Sequence, residues 1–437
     1  MLSAIGMGSL EELFVDIPAN VRFPELRLAA RLTEMDLDQE LRKLSRRNRS
    51  LECGPSFLGA GCYRHFIPAT VDYVLQRGEF YTSYTPYQPE LSQGFLQAMF
   101  EYQTMICRLT GMEVSNASHY DGATSLAEAV LLALDAGEGR RTRIVMSPYV
   151  HPNYRAVVDT YLKGTDSYLD VAEERYDGAI ALSERIDDET AALVLQTPHF
   201  LGGIEDLTGV ADTVHAKGAL LIVVVDPIYL GLFKPPGDFG ADVVVADGQA
   251  LGITASFGGP SLGIFATRRK YIRRLVGRLV GQTEDSEGRR GFVLTLATRE
   301  QHIRRAKATS NICTNSALGA LAAAVYLATL GERGVRRVAE LCFHKSHYAA
   351  ARISEIPGCA VNTQAPRSEF FKEFVITLPV DAATVISRLR KEYGVIGGYD
   401  LGRSLPGNDN RMLVAVTEMN TRKEIDRLVA ALHQIVA

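Results

Sequence analysis

The chain has 437 residues, more than a typical single domain, so one large domain with appendages, or two domains around a sizeable core, is expected. Lys and Arg number 47 against 51 Asp and Glu, and the formal net charge of -4 gives no electrostatic reason to expect nucleic acid or a membrane surface as partner. The six cysteines, Cys53, Cys62, Cys107, Cys313, Cys342 and Cys359, have no C-x-x-C spacing, which argues against a disulfide frame or metal site and fits buried thiols in a reducing cytoplasm.

The amino terminus has neither a basic leader nor an apolar core with a small-residue cleavage site, so no export is expected. Residues 10 to 50 have helical apolar spacing, broken by Pro18 and Pro24 and ending in a basic cluster at Lys43, Arg46, Arg47 and Arg49. This predicts an amino-terminal helical arm over residues 1–56 with a solvated charged face. From Pro86 to Gln93 the chain is turn-like. Phe95, Met99, Tyr102, Ile106 and Leu109 then recur at helical spacing until Gly111 supplies a stop.

Asp121-Gly-Ala-Thr-Ser125 opens an apolar helix. Its first N–H groups suit a phosphate, yet Asp121 reads equally as a plain N-cap whose carboxylate would compete with one. Apolar, β-branched runs follow at Arg143 to Met146, Ala191 to Leu195, Ala219 to Val225, Ala241 to Val245 and Leu262 to Ala266, separated by helical stretches. Such alternation predicts an α/β fold with a mostly parallel sheet covered on both faces. Asp226 ends one of these runs, at the carboxyl edge where ligands of open α/β sheets bind. A carboxylate there can hold a pyridinium nitrogen, and Asp-Pro is also an ordinary strand-ending turn.

Beyond Thr309 the pattern becomes a long helix, a strand-like Phe374 to Leu378, a helix from Asp381 to Tyr393, a strand-like Met412 to Val416 and a closing helix. The apolar run Ala317 to Leu330 falls short of the about 20 residues that span a bilayer and predicts a buried helix. The closing helix opens with Thr421 and Glu424 in capping-box spacing and has one apolar face, Ile425, Leu428, Val429, Leu432 and Ile435. The expected division is the arm over 1–56, a large domain over 57–310 and a smaller α/β domain over 311–437.

Asp226 on one strand, Gln249 after the next, and the small-residue loop Ser256-Phe-Gly-Gly-Pro260 resemble the aspartate aminotransferase-like large domain of fold type I pyridoxal phosphate enzymes. Within that superfamily, Tyr84 to Gly94, Asp247 to Pro260, Gly288 to Leu296 and Thr298 to Thr314 resemble the P-protein of glycine decarboxylase, and the resemblance runs from about Phe57 to the end. That family exists as one long chain with two homologous halves or as two subunits, and this length matches the separate amino-terminal, or alpha, half.

The resemblance implies a division of labour. In members that hold the cofactor a lysine follows the strand before the Gly-rich loop. That slot here is Gln249, with no lysine nearby in sequence. An amide cannot form the Schiff base or move protons, so no catalytic residue is expected in this chain, and pyridoxal phosphate is expected on a homologous beta subunit. His151, where a ring would stack, and Asp226, where the pyridinium would be held, then read as remnants. Groups lent to the neighbour would be Thr309, Ser310 and Asn311, in a turn reaching its cofactor phosphate, and Tyr84, Thr85, Tyr87 and Gln88 on the proline-stiffened loop. Arg299, His302, Tyr63 and His65 are further pocket-lining candidates.

The assembled enzyme, a heterodimer doubled into a heterotetramer, would decarboxylate glycine and pass the aminomethyl group to the lipoyl arm of H-protein. Two rivals stay open: a self-sufficient lyase whose lysine comes from elsewhere in the chain, and a structural or regulatory pseudo-subunit with no part in turnover.

Overall fold

The computed structural model describes residues 1–437 apart from 23, 49, 52, 173–177, 298–299, 313, 362–368 and 437, so Arg49, Arg299 and Cys313 lie outside the described residues. The chain forms two compact units, Met1–Cys53 and Gly54–Ala437. In the first, the only α-helix among the described residues is Glu34–Ser45, capped by Thr33, whose hydroxyl accepts the Asp36 N–H at 3.3 Å. The predicted arm is therefore helical over a shorter stretch than its apolar spacing implied. Pro18 and Pro24 interrupt the pattern, and the residues between Pro24 and Thr33 carry no regular structure.

The second unit is built on a seven-stranded sheet. Its strands are β1 (Val114–Ser115), β2 (Arg143–Met146), β3 (Tyr168–Val171), β4 (Thr190–Thr197), β5 (Leu220–Val225), β6 (Val243–Asp247) and β7 (Gly263–Thr267), in the order β1-β7-β6-β5-β4-β2-β3. Strands β3, β2, β4, β5 and β6 are parallel neighbours. Successive residues feed opposite cores: Leu221, Val223 and Val225 join one buried cluster, Leu220, Ile222 and Val224 the other. Helix Gln93–Thr110 covers the first face, and helices Gly122–Ala136 and Pro152–Leu162 the second. β7 runs antiparallel to β6, because the loop between them returns without a crossover helix. A hairpin, β8 (Leu279–Glu284) with β9 (Arg290–Thr295), stands apart from the sheet.

The carboxyl-terminal part forms an antiparallel sheet of β10 (Ala360–Val361), β11 (Glu373–Thr377), β12 (Tyr399–Asp400) and β13 (Arg411–Ala415), in the order β10-β11-β13-β12. Helices Ala382–Glu392 and Arg422–Val436 share its core, the latter opened by the reciprocal Thr421 and Glu424 bonds. Phe57 also packs there, its N–H donating to the Ile396 carbonyl at 2.9 Å. Helix Ala317–Ser354 links the two sheets. Ala320 to Leu327 pack into the large core and Ala349 to Ile353 into the small one, with a break at Gly331, whose φ of 60° suits glycine. No helix among the described residues is long and apolar enough to cross a membrane.

Candidate functional site

The carboxyl ends of the parallel strands open onto a pocket. Asp226 follows β5, Asp247 ends β6 with Gln249 just beyond, and His151 caps the helix after β2. Across it lie Lys372 and Glu373, brought in by β11, and the strap Gly59 to His65.

Lys372 was not anticipated from the sequence and dominates the site. Its side chain is 2% exposed, and its ammonium lies 2.6 Å from Asp226 Oδ2, 3.1 Å from His65 Nε2 and 3.5 Å from the centroid of the Tyr63 ring. Asp226 Oδ1 accepts the Ile228 N–H at 2.8 Å, so both its oxygens are used. His65 Nδ1 meets Glu418 Oε2 at 2.7 Å. An Nδ1–H tautomer donates there and leaves Nε2 to accept from the ammonium, the arrangement that satisfies every partner. Glu373 Oε1 accepts the Ala60 N–H and Oε2 the Tyr63 hydroxyl, both at 2.7 Å, and burial pushes its carboxyl up to about 7. His65, Cys342 and Glu418 also bring three ligand-type atoms within 4.8 Å of one another. Each already has a partner, and the adjacent ammonium repels a cation.

Gln249 is equally committed. Its Oε1 accepts the Tyr63 N–H at 2.9 Å, and its Nε2 donates to the carbonyls of Tyr63 at 3.0 Å and Ile253 at 2.7 Å. His151 Nδ1 accepts the Asn153 N–H at 3.1 Å, so Nε2 carries the proton and donates to the Ala60 carbonyl at 2.9 Å. Burial holds this imidazole below its ordinary pKa. The strap comes so close that a Cβ on Gly61, at φ +99°, would sit 3.1 Å from His151 Nε2, which explains the glycine.

The helix N-terminus after Asp121 is filled too. Asp121 Oδ1 accepts the Thr124 N–H at 2.7 Å in a full capping box, and Asp247 Oδ2 accepts the Gly122 N–H at 3.1 Å. Two carboxylates thus sit where a phosphate would need bare N–H groups, and burial raises the Asp247 carboxyl above its ordinary range. The plain N-cap, of the two readings the sequence allowed, is the one realised.

The residues present therefore do not fit pyridoxal phosphate as the resemblance would seat it. An amide stands at the lysine slot, an internal ammonium on the pyridinium's aspartate, and carboxylates in the phosphate cradle. Tyr63 and His65, candidate lining groups, are turned inward as parts of this closure.

The remaining candidates sit on the surface. Tyr84 is 81% and Tyr87 62% exposed, Gln88 is exposed and Thr85 half-buried. His302 is exposed on the short helix Gln301–Arg304, 3.7 Å from Glu300. Asn311 is exposed and Thr309 half-buried, whereas the Ser310 hydroxyl donates to Glu128 Oε1 at 2.7 Å and accepts the Ile312 N–H at 3.1 Å. Ser310 is thus bonded within its own chain. The thiols also differ from expectation. Of the five described cysteines only Cys342 is buried, and Cys53 and Cys62 are exposed, Cys62 because its neighbour Tyr63 takes the inward position on the strap.

A family model described as glycine cleavage system P-protein matches residues 1–432. The probable glycine dehydrogenase (decarboxylating) subunit 1 of Thermomicrobium roseum is 53% identical over 442 residues, covering 100% of this chain and 97% of that protein. The like-named protein of Geobacillus kaustophilus is 52% identical over 434 residues, covering 98% and 95%. Among solved structures, a glycine decarboxylase (P-protein) of the glycine cleavage system in inhibitor-bound form is 44% identical, with a TM-score of 0.91 over 100% of this chain and 97% of that one. Alanine–glyoxylate aminotransferase from Nostoc sp., at 18% identity and a TM-score of 0.60 over 88% of this chain and 96% of that one, shares the fold alone. The architecture is that of the fold type I pyridoxal phosphate enzymes, as the sequence resemblance implied.

Proposed function

The chain belongs to the glycine cleavage system P-protein family, and from that premise we propose that it is the half of a two-subunit glycine decarboxylase that does not carry the cofactor. The assembled enzyme decarboxylates glycine with pyridoxal phosphate bound by a homologous beta subunit and hands the aminomethyl group to the lipoyl arm of H-protein. The bound cofactor supplies the electron sink for that chemistry. This chain completes the neighbour's site, with Thr309 and Asn311 directed to its phosphate and Tyr84, Thr85, Tyr87, Gln88 and His302 to its pocket. Its contribution is positioning and exclusion of water, not proton transfer or nucleophilic attack.

One observation carries the reading: the lysine slot, the pyridinium's aspartate and the phosphate cradle are each taken up by the chain's own groups. It also weighs against a self-sufficient lyase using Lys372. Its amine is engaged by Asp226 at 2.6 Å, by His65 at 3.1 Å and by the face of the Tyr63 ring, so a cofactor aldehyde would have to displace these contacts to reach it. The name subunit 1, borne by relatives about half identical to this chain, supports a partner subunit.

Borohydride trapping tests this. Mixed with pyridoxal phosphate, the purified chain is expected to develop no cofactor absorbance and to fix no label, while in the assembled enzyme all label is expected on the partner. Label on this chain, at Lys372 above all, would overturn the reading.

A further inference from the structure

Glu128 is a buried acid with no part in the closed pocket. It lies within helix Gly122–Ala136 among alanines, leucines and valine, at 1% exposure. Its Oε1 takes the Ser310 hydroxyl, and its Oε2 has no hydrogen-bond partner among the described residues. Burying a carboxyl so sparsely satisfied is unfavourable, and it pushes the group up to about 7. An alanine would fit this apolar helix at less cost, so the acid calls for a local reason.

Ser310 supplies one. Its hydroxyl donates to Glu128 and accepts the Ile312 N–H, so one side-chain atom ties the helix to the backbone just beyond the turn. Further along the same segment, Asn315 donates to Ser118 Oγ at 2.8 Å and accepts from Arg278 Nη1 at 3.0 Å. The guanidinium of Arg278 also lies 5.9 Å from the Tyr87 ring. Past Thr309 the chain is thus held at Ser310 to the middle of the Gly122–Ala136 helix and, further on, at Asn315 to Ser118, just before that helix.

We propose that Glu128 is a positioning residue: by holding Ser310 against the helix it fixes the turn that presents Thr309 and Asn311 to the neighbouring subunit's cofactor phosphate. This deepens, and rests on, the reading of that turn given above.

The test is a titration of the assembled two-subunit enzyme with pyridoxal 5'-phosphate, followed by cofactor absorbance. Thr309→Val reads the turn itself, and about ten-fold weaker binding is expected from the loss of one bond to a charged phosphate. Ser310→Ala and Glu128→Ala read the anchor, each expected to weaken binding about three- to ten-fold. Glu128→Gln, whose amide oxygen still accepts from Ser310, should restore most of the affinity, which a purely structural role in this chain's own fold would not require. Ser310→Ala removes a single hydroxyl and keeps the test alive should Glu128→Ala fail to assemble. Wild-type affinity in both anchor variants alongside weakened Thr309→Val would sink the anchor and leave the turn's role standing. Unchanged affinity in Thr309→Val would sink the turn's role and the anchor with it.

Discussion

The pocket at the carboxyl edge of the sheet and the exposed segments around Tyr84 and Thr309 carry similar kinds of residue, aromatic, polar and charged, and use them in opposite ways. In the pocket, Lys372, Asp226, His65, Glu418, Tyr63, Glu373 and Gln249 all bond to one another or to nearby backbone. On the surface, Tyr84, Tyr87, Gln88, His302 and Asn311 stand in solvent. A polar cluster satisfied from within has no vacancy for a charged ligand, and opening it would strand buried charges. Aromatic and amide groups projecting from a proline-stiffened loop form the kind of surface a partner protein covers. The closed pocket and the exposed segments thus put the same residue types to different uses.

The largest expected effect comes from opening the closed region. Lys372→Met leaves Asp226 buried without its counter-charge and should destabilise the purified chain by about 3–5 kcal/mol. Adding Asp226→Asn removes the stranded charge and keeps an oxygen for the Ile228 N–H, so the double variant should recover most of that loss. Denaturant unfolding of the two single variants and the double gives the coupling. A loss under about 1 kcal/mol for Lys372→Met would mean that the pocket is wetter and looser than the internal ion pair implies.

That lysine also marks where the sequence ceased to be readable. Five strands of the large sheet were legible as apolar, β-branched runs because that sheet is buried on both faces. β3 with its Asp170, and the hairpin β8–β9 ending in Gln282, Thr283 and Glu284, were not, because half-exposed strands carry polar residues that blur the pattern. Asp226 could be picked out because a strand end fixes its place, and Gln249 through the resemblance, by its position before the Gly-rich loop. Lys372 enters the pocket from another sheet, and spacing along the chain cannot report that. A signal was present all the same. Lys372-Glu373 interrupts the apolar run from Phe370-Phe371 to Phe374-Val375, and a charged pair inside such a run must find partners if the run is buried. The residues proposed to face a partner could be read only through family resemblance, since nothing in exposed polar loops distinguishes an interface from ordinary surface.

A smaller effect separates the two regions by pH. The Glu373 carboxyl is raised from an ordinary 4.5 to about 7, chiefly by burial, so between those values the folded chain holds a proton that the unfolded chain has released. The stability it contributes is complete below the lower value and is lost as pH rises through the upper one. Glu128, also raised to about 7, acts in the same direction. His119 and His199, lowered by burial from 6.5 to about 4, act in the opposite direction across their own window. The informative quantity is therefore the difference between wild type and Glu373→Gln. Wild type should lose stability relative to the variant by up to about 1.4 kcal/mol per pH unit across this range. Parallel stability curves would show that Glu373 does not titrate there and that the Tyr63–Glu373 contact is not sealed from water.

The smallest effect on stability should come from the exposed region, where it is the most telling. Tyr84 is 81% exposed, so Tyr84→Ala should change the chain's stability by less than about 0.5 kcal/mol. Tyr87→Ala gives up little more, because the Arg278 guanidinium 5.9 Å from its ring is at the outer limit of a cation–π contact. Turnover of the assembled enzyme should nonetheless fall in both variants, most steeply in kcat if the rings shape the neighbour's pocket and not merely the subunit contact. Normal turnover with intact assembly would assign the loop to scaffolding. It would also move the chain's contribution to the Thr309 turn, the other exposed segment with an anchor built behind it.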